Sequence, residues 1–365
     1  MTPAHVLLVH DAYDDYVACL ANHLAERTRV TVLHHARIHA GMPLTGDVGT
    51  VVYPHRRIRD PRRIASIPRI REVAAEVRAD VVHLQQSNDP LFTLVQGPTP
   101  GRASVLTVHD VVPHPGDRSH IPGGHLAARR RRGCFDRVVV HADELGADLT
   151  RRWGVPRDRI DVVAHGELGS LHGTPRVVDD PPPRVLFFGR IWPYKGLDRL
   201  VHAMNALSVT RPGLTLAIAG TGEPLEGYLR LAAPTLRTEV TDRFVDRDEV
   251  APLFADAAVV CLPYLEASQS GVHALACGLG VPVVASAVGG LTSAVAHGRD
   301  GLLVPPDDVD ALAAALGRVL DEPVLRARLA SGARARARTD LSWDTIADRT
   351  LEVYDRAAHA HRVAT

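Results

Sequence analysis

The chain has 365 residues, enough for two domains with ordinary cores, and aromatics make up only 4%, so Val, Leu, Ala and Ile must fill those cores. Lys plus Arg equals Asp plus Glu at 42 each, which removes any global electrostatic reason to bind nucleic acid. Cys19, Cys134, Cys261 and Cys277 are scattered with no C-x-x-C pair, a pattern that fits buried free thiols in a reducing cytosol better than disulfides or a zinc site.

The first half repeats a short apolar run followed by a helical segment. Strands are predicted at His5–Val9, Val30–His34, Val51–Tyr53, Val81–Leu84, Val105–Val108, Val138–His141 and Ile160–Ala164. Runs this apolar imply strands buried on both faces, hence a parallel sheet flanked by helices. After the first strand the chain reads His10-Asp11-Ala12-Tyr13-Asp14-Asp15-Tyr16, with no G-x-G-x-x-G, and its acidic side chains would repel a pyrophosphate. A nicotinamide dehydrogenase is therefore disfavoured. His10 and Asp11 end that strand on the edge where ligands bind, which makes them acceptor candidates by position alone. Gln85 and Gln86 are weaker candidates for the same role.

Gly169 to Pro183 lacks periodicity and ends in three prolines, which cannot continue a helix or a central strand. The predicted organisation is an N-terminal domain at 1–168, a linker at 169–184, a C-terminal domain at 185–342 and a last segment, 343–365, whose helix Asp344–His359 crosses back to the first domain. No internal repeat, low-complexity tail or membrane-length apolar run is present. Val6–Val9 is too short for a signal peptide. The expected location is cytoplasmic. Two basic clusters, Arg56, Arg57, Arg59, Arg62, Arg63 and Arg69, and Arg129 to Arg132, read first as solvated faces; peripheral contact with an anionic membrane or a phosphorylated acceptor is the alternative.

In the second half the strand Val185–Phe188 runs into Gly189-Arg190-Ile191-Trp192-Pro193-Tyr194-Lys195-Gly196, and then into the helical stripe Leu197, Leu200, Val201, Met204 and Leu207. The turn holds Arg190 and Lys195 at the carboxyl end of a strand. A forked guanidinium and a compact ammonium there suit a diphosphate. Gly220-Thr221-Gly222-Glu223 follows the strand Leu214–Ala219. Val259–Tyr264 is a further strand, ending in Leu265-Glu266-Ala267-Ser268-Gln269-Ser270-Gly271-Val272, and Pro282–Ser286 comes after an intervening helix. Ser270, Gly271 and Val272 open that helix with amides aimed outward, an anion site by construction. Asp307, Asp308 and Asp310 lie after Pro305-Pro306, where an N-cap role is simpler than metal ligation.

The order Gly-Arg-x4-Lys-Gly, Gly-x-Gly-Glu, Pro-Tyr-x-Glu-Ala-x-Gln-Ser-Gly and Pro-Val-Val-Ala-x-x-Val-Gly-Gly resembles glycosyltransferase family 4. In the first half Thr107-Val108-His109-Asp110, Pro113-His114-Pro115-Gly116-Asp117 and Val163-Ala164-His165-Gly166-Glu167 are similar to stretches of one branch of that family. The resemblance implies the GT-B fold, an α/β architecture of two Rossmann-like domains with parallel sheets facing across a cleft. It implies a retaining enzyme that uses a nucleotide-diphosphate sugar as co-substrate, with no cofactor and no obligatory metal. By the same resemblance His109 lies near the anomeric carbon and Glu266 bonds hydroxyls of the donor sugar. Gly189, Gly220, Gly222, Ser270, Gly271 and Val272 line the donor, while for Val245 (within Phe244-Val245-Asp246) backbone contact with the base and an ordinary strand and turn stay equally open. For His165, hinge packing and acceptor contact stay equally open. A second Glu that usually holds the ribose is replaced here: counting back from Pro282 puts Leu275 at its place.

The function expected is transfer of a hexose-type unit to an acceptor hydroxyl on a glycan precursor, a lipid-linked sugar or a secondary metabolite. A nucleotide-sugar epimerase has no support in these signatures. A non-catalytic nucleotide-sugar-binding protein is the alternative that Leu275 keeps alive.

Overall fold

The computed structural model describes residues 3–35, 43–53, 66–86, 97–111, 134–173 and 181–364. Residues 113–117, Arg56 to Arg63, Arg129 to Arg132 and residues 174–180 of the proline-rich segment lie outside that set. The chain divides into two compact units. The first is built from described residues up to His165 together with Trp343–Ala364, and the second runs from Gly166 to Ser342.

The first unit is a seven-stranded parallel sheet of β1 (His5–Val9), β2 (Arg29–His35), β3 (Gly49–Tyr53), β4 (Val81–Gln85), β5 (Ala103–Thr107), β6 (Arg137–Val140) and β7 (Ile160–Val162). Its order is β3-β2-β1-β4-β5-β6-β7. β1, β4 and β5 are buried at every residue, which is why they read as unbroken apolar runs rather than alternating ones. Helices α1 (Asp14–Ala25), α2 (Ser66–Glu76) and α3 (Asp143–Asp148) belong to this unit. Asp14 and Asp15 in the first turn of α1 complement its dipole. Arg69, the one described member of the first basic cluster, is ion-paired with Glu72 and Glu76 of its own helix.

The second unit is a six-stranded parallel sheet of β8 (Arg184–Phe188), β9 (Thr215–Gly220), β10 (Arg237–Asp242), β11 (Val259–Leu262), β12 (Val283–Ser286) and β13 (Gly301–Val304). Its order is β10-β9-β8-β11-β12-β13. Two of these strands are absent from the predicted set. β10, Arg-Thr-Glu-Val-Thr-Asp, is an edge strand with no fully buried residue, and β13, Gly-Leu-Leu-Val, is a short edge strand. Helices α4 (Leu197–Ser208), α5 (Arg247–Ala255), α6 (Gly271–Leu279), α7 (Val309–Asp321) and α8 (Pro323–Arg338) accompany them. The stripe Leu197, Leu200, Val201, Met204 and Leu207 of α4 is buried in a core with Val185, Phe187, Leu216 and Ile218. Asp308 caps α7, accepting from the Ala311 amide at 2.8 Å, as the N-cap reading required.

The last helix, α9 (Trp343–Ala364), is longer than the predicted Asp344–His359 and packs on α1 and β5 of the first unit. Arg27 reaches Asp344 and Asp348 on it at 2.8 and 2.7 Å, and the buried Tyr354 bonds His83. Cys19, Cys261 and Cys277 are buried free thiols; Cys134 is exposed, because it lies in the turn ahead of β6 rather than in a strand or helix. Among the described residues no helix is long and apolar enough to cross a membrane.

Both sheets reverse their winding beside the first strand of the unit, between β1 and β4 and between β8 and β11. The crevice outside the strand ends at such a reversal is where open α/β sheets bind ligands. In the second unit the two flanking turns are 189–196 and 263–270, the ones that carry Arg190, Lys195, Glu266 and Ser270.

Candidate active site

The turn after β8 is braced on both sides. Ile191 donates to the Thr221 carbonyl at 3.0 Å, and its own carbonyl accepts from Glu223 at 2.8 Å. This bridge pins the turn after β8 to the Gly220-Thr221-Gly222 turn after β9. Gly220 has φ +150°, and a Cβ there would lie 1.8 Å from the Gly189 carbonyl oxygen. Packing of one turn against the other therefore requires Gly220 whether or not a ligand is bound. On the other side, Leu265 donates to the Tyr194 carbonyl at 2.8 Å, joining the turns after β8 and β11.

Arg190 is exposed. Lys195 closes a single 3₁₀ turn, Pro193–Lys195, and its half-buried side chain places Nζ 3.7 Å from the centre of the Tyr264 ring. Burial pushes the Tyr264 phenol up to about 12, with the Arg190 charge pulling the other way. Tyr264 thus seats the Lys195 ammonium and feels the Arg190 charge, a role that its place in the sequence motif did not reveal.

The turn after β11 leads into α6. Ser270 is its N-cap, and the hydroxyl accepts from the His273 amide at 3.3 Å. The amides of Gly271 and Val272 have no hydrogen-bond partner among the described residues, the condition for an anion site at a helix start. A Cβ at Gly189 would lie 3.5 Å from Val272 Cγ2, so the start of α6 adjoins the first residue of the cationic turn. Glu266 is exposed, with no ion pair or hydrogen bond among the described residues. Leu275 is buried in the apolar core beneath α6 with Val260, Leu262 and Ala285, and offers no hydrogen-bond acceptor for a ribose from its side chain. Val245 is buried in the same core, and Asp246 forms a capping box with Glu249 at the start of α5.

Among the described residues of this unit, one group of ligand-type side chains occurs. His273, Cys277 and Asp300 are buried with their ligand atoms within 4.8 Å of one another. Asp300 is already paired with the Arg336 guanidinium and accepts from the Ala296 amide at 2.8 Å, so a cation would compete with an arginine. Burial alone would lower the His273 imidazole; Cys277 and Asp300 outweigh it and hold it raised, at about 9. The arrangement fits a buried ion-pair network that anchors α8 to α6.

In the first unit His109 follows β5 and is fully buried. Its Nδ1 lies 3.0 Å from His141 Nε2, and its Nε2 lies 3.0 Å from the Gln85 amide. Tyr13 stacks on it at 3.7 Å, and Tyr16 meets it edge-on at 5.2 Å. Burial, with His141, His165 and His83 nearby, holds the His109 imidazole well below its ordinary range. Gln86 accepts from the His109 and Asp110 amides at 2.8 and 2.9 Å and donates to the Asp110 carbonyl at 2.8 Å. Both glutamines therefore hold His109 in place. His165 lies 5.1 Å from the His141 ring and 5.2 Å from that of Tyr16, in the same aromatic cluster. His10 is buried, donates from Nδ1 to the Ala12 carbonyl at 3.1 Å and stacks on His34; Asp11 beside it is half-buried.

The family model of glycosyl transferases group 1 matches residues 182–322, and that of Glycosyltransferase Family 4 matches residues 15–166. A glycogen synthase of Mycobacterium tuberculosis is 34% identical over 234 residues, which cover 62% of this chain and 56% of that protein. A D-inositol 3-phosphate glycosyltransferase of Thermomonospora curvata is 36% identical over 252 residues, 61% of this chain and 57% of the relative. The chain spans little more than half the length of these curated relatives. Among solved structures, sucrose-phosphate synthase from Thermosynechococcus elongatus has a TM-score of 0.74 at 22% identity, over 99% of this chain and 100% of that one. Anabaena HepE in complex with UDP and glucose has a TM-score of 0.73 at 18% identity, over 96% and 98%. At such identities the likeness shows the fold, which is GT-B. With one family model matching each half, the chain belongs to the group 1, family 4 glycosyltransferases.

Proposed function

We propose that the chain is a retaining glycosyltransferase that moves a hexose-type unit from a nucleotide-diphosphate sugar to an acceptor hydroxyl. One observation carries the reading: Arg190, Lys195 and the open amides of α6 converge beside the winding reversal of the second sheet. A departing nucleoside diphosphate gains negative charge as its bond to the anomeric carbon breaks. Fixed cations and helix amides stabilise that charge without rearranging, which is where most catalytic stabilisation usually arises. Glu266, exposed beside this site, is assigned the donor-sugar hydroxyls. In the front-side mechanism we assign to it, the acceptor oxygen bonds the anomeric carbon as the phosphate oxygen leaves, and that oxygen takes the acceptor proton. This scheme asks no metal or cofactor of the chain. His109 is assigned to the donor sugar; His10, Asp11 and His165 are the weaker acceptor assignments.

The HepE structures hold UDP and UDP-glucose, so uridine diphosphate sugars come first in a search for the donor. The test is release of nucleoside diphosphate in the presence of candidate acceptors, with the product's anomeric configuration read by NMR. Retention and a loss of ~10²–10³-fold in rate for Arg190→Ala are expected. An inverted product, or an unchanged rate, would sink the mechanism. The apolar burial of Leu275 favours one other reading, a nucleotide-sugar-binding protein without transfer. Donor binding with no turnover on any acceptor would select it. A cytoplasmic protein touching anionic membrane peripherally is tested by flotation with anionic vesicles at low salt, where no binding would retire that contact.

A further inference from the structure

His83, Gln85, His109 and His141 form one buried hydrogen-bonded chain, and its proton positions follow from its ends. His141 Nδ1 lies 2.9 Å from the Val163 carbonyl. A carbonyl only accepts, so this nitrogen carries the hydrogen. Burial, with His165 and His83 nearby, disfavours a second proton on His141, even with the Val163 carbonyl and Asp110 pulling the other way. Its Nε2 then holds a lone pair, and His109 Nδ1 must donate to it.

The same reasoning passes along the chain. A neutral His109 with hydrogen on Nδ1 has a lone pair on Nε2. The Gln85 amide faces it with Oε1 at 3.0 Å, while the amide nitrogen lies 3.3 Å from His83 Nε2. In that orientation two acceptors oppose each other. Amide oxygen and nitrogen have nearly the same shape, and the hydrogen-bond network decides between them. A half-turn of the amide gives His109 a donor and gives His83 Nε2–H an acceptor. The His83 Nε2 hydrogen also faces Thr107 Oγ1 at 2.7 Å, and His83 Nδ1 accepts from the Tyr354 hydroxyl at 2.8 Å. Burial keeps that phenol protonated.

We propose that Gln85 is a positioning residue for His109: it donates its amide N–H to His109 Nε2 and holds the ring neutral in the Nδ1–H tautomer. Gln86 fixes the backbone of the same residue, and Tyr13 covers one face of the ring. If the transferase assignment above holds, on which this role in catalysis rests, His109 meets the reaction as a neutral dipole and supplies no proton at neutral pH.

The test is long-range ¹H–¹⁵N correlation on the full-length, histidine-labelled protein at pH 7.5, with His109 assigned by its disappearance in His109→Gln. The wild type is expected to show hydrogen on Nδ1 and a bare Nε2. In Gln85→Glu the partner can only accept, so the His109 ring is expected to become doubly protonated, and the pH profile of transfer to gain an ionisation. A wild-type His109 with hydrogen on Nε2, or a doubly protonated one, overturns the proposal. So does a folded Gln85→Glu protein whose His109 stays neutral. If that variant does not fold, the wild-type tautomer alone decides. A wild type with the expected tautomer and no nucleotide release would remove the transferase assignment and leave the tautomer lock in place.

Discussion

Lys195 holds its ammonium 3.7 Å from the centre of the Tyr264 ring, so the cation of one turn is seated on an aromatic ring of the neighbouring turn. A second ring, Tyr194, lies 5.1 Å away. A lysine alone is a flexible point charge; stacked on a buried tyrosine it is held in place before any anion arrives.

Tyr264→Leu is therefore expected to weaken nucleoside-diphosphate binding, while Tyr264→Phe keeps most of it. A cation–π contact is worth ~0.5–2 kcal/mol, which corresponds to roughly 2- to 30-fold in Kd. Titration calorimetry of both variants checks this, and equal affinity for Tyr264→Leu would show that the stacking does not order Lys195.

Gly220→Ala should destabilise the second unit and loosen the cationic turn together. The φ of +150° costs a side chain ~1–3 kcal/mol, and the Cβ clash with the Gly189 carbonyl adds to it. A lowered denaturant midpoint with weaker donor binding is the expected pair of results. A variant as stable as the parent would contradict the close approach of the two turns.

Acid should destabilise the first unit early. Burial lowers the His83 and His141 imidazoles to about 3, against about 6.5 unfolded. Between those values the unfolded chain takes up protons that the folded unit refuses. The stability is whole above pH 6.5 and falls as pH drops towards 3, by up to ~1.4 kcal/mol per pH unit for each histidine. Urea melts at pH 7.5 and pH 5 measure the slope, which should flatten in His83→Gln.

Asp300→Ala should cost the second unit ~3–5 kcal/mol, because it leaves the Arg336 guanidinium and the raised His273 imidazole buried without their carboxylate. Denaturant unfolding of this variant is the check. A loss below about 1 kcal/mol would mean that the network contributes little to stability.

Chelation is expected to leave transfer unchanged, since Arg190, Lys195 and the α6 amides supply the positive field in the proposed mechanism. Rate measurements with and without excess EDTA decide it; abolition by EDTA and recovery with one divalent ion would require a metal in the mechanism.

Most of the fold is legible in the sequence because buried parallel strands are written as apolar runs, from His5–Val9 to Val283–Ser286. β10 escapes for the same reason: an edge strand buried on neither face keeps charged residues and has no run to find. The cationic turn is legible because Gly189, Arg190, Lys195 and Gly196 are consecutive or nearly so. The environment of His109 is not, since Gln85 ends β4, His141 follows β6 and Tyr13 precedes α1, three segments that only the sheet order brings together. Leu275 also needed the structure, which places it in the core instead of at a ligand surface.

The bridge between Ile191 and Gly222 has an evolutionary consequence. Two turns that share backbone hydrogen bonds and touch through a missing side chain cannot change length separately. An insertion in either would cut the bridge and carry Arg190 away from the start of α6. Proteins descended from this one will therefore keep both turns at constant length, and will diversify in their ligands through loops that carry no such cross-brace.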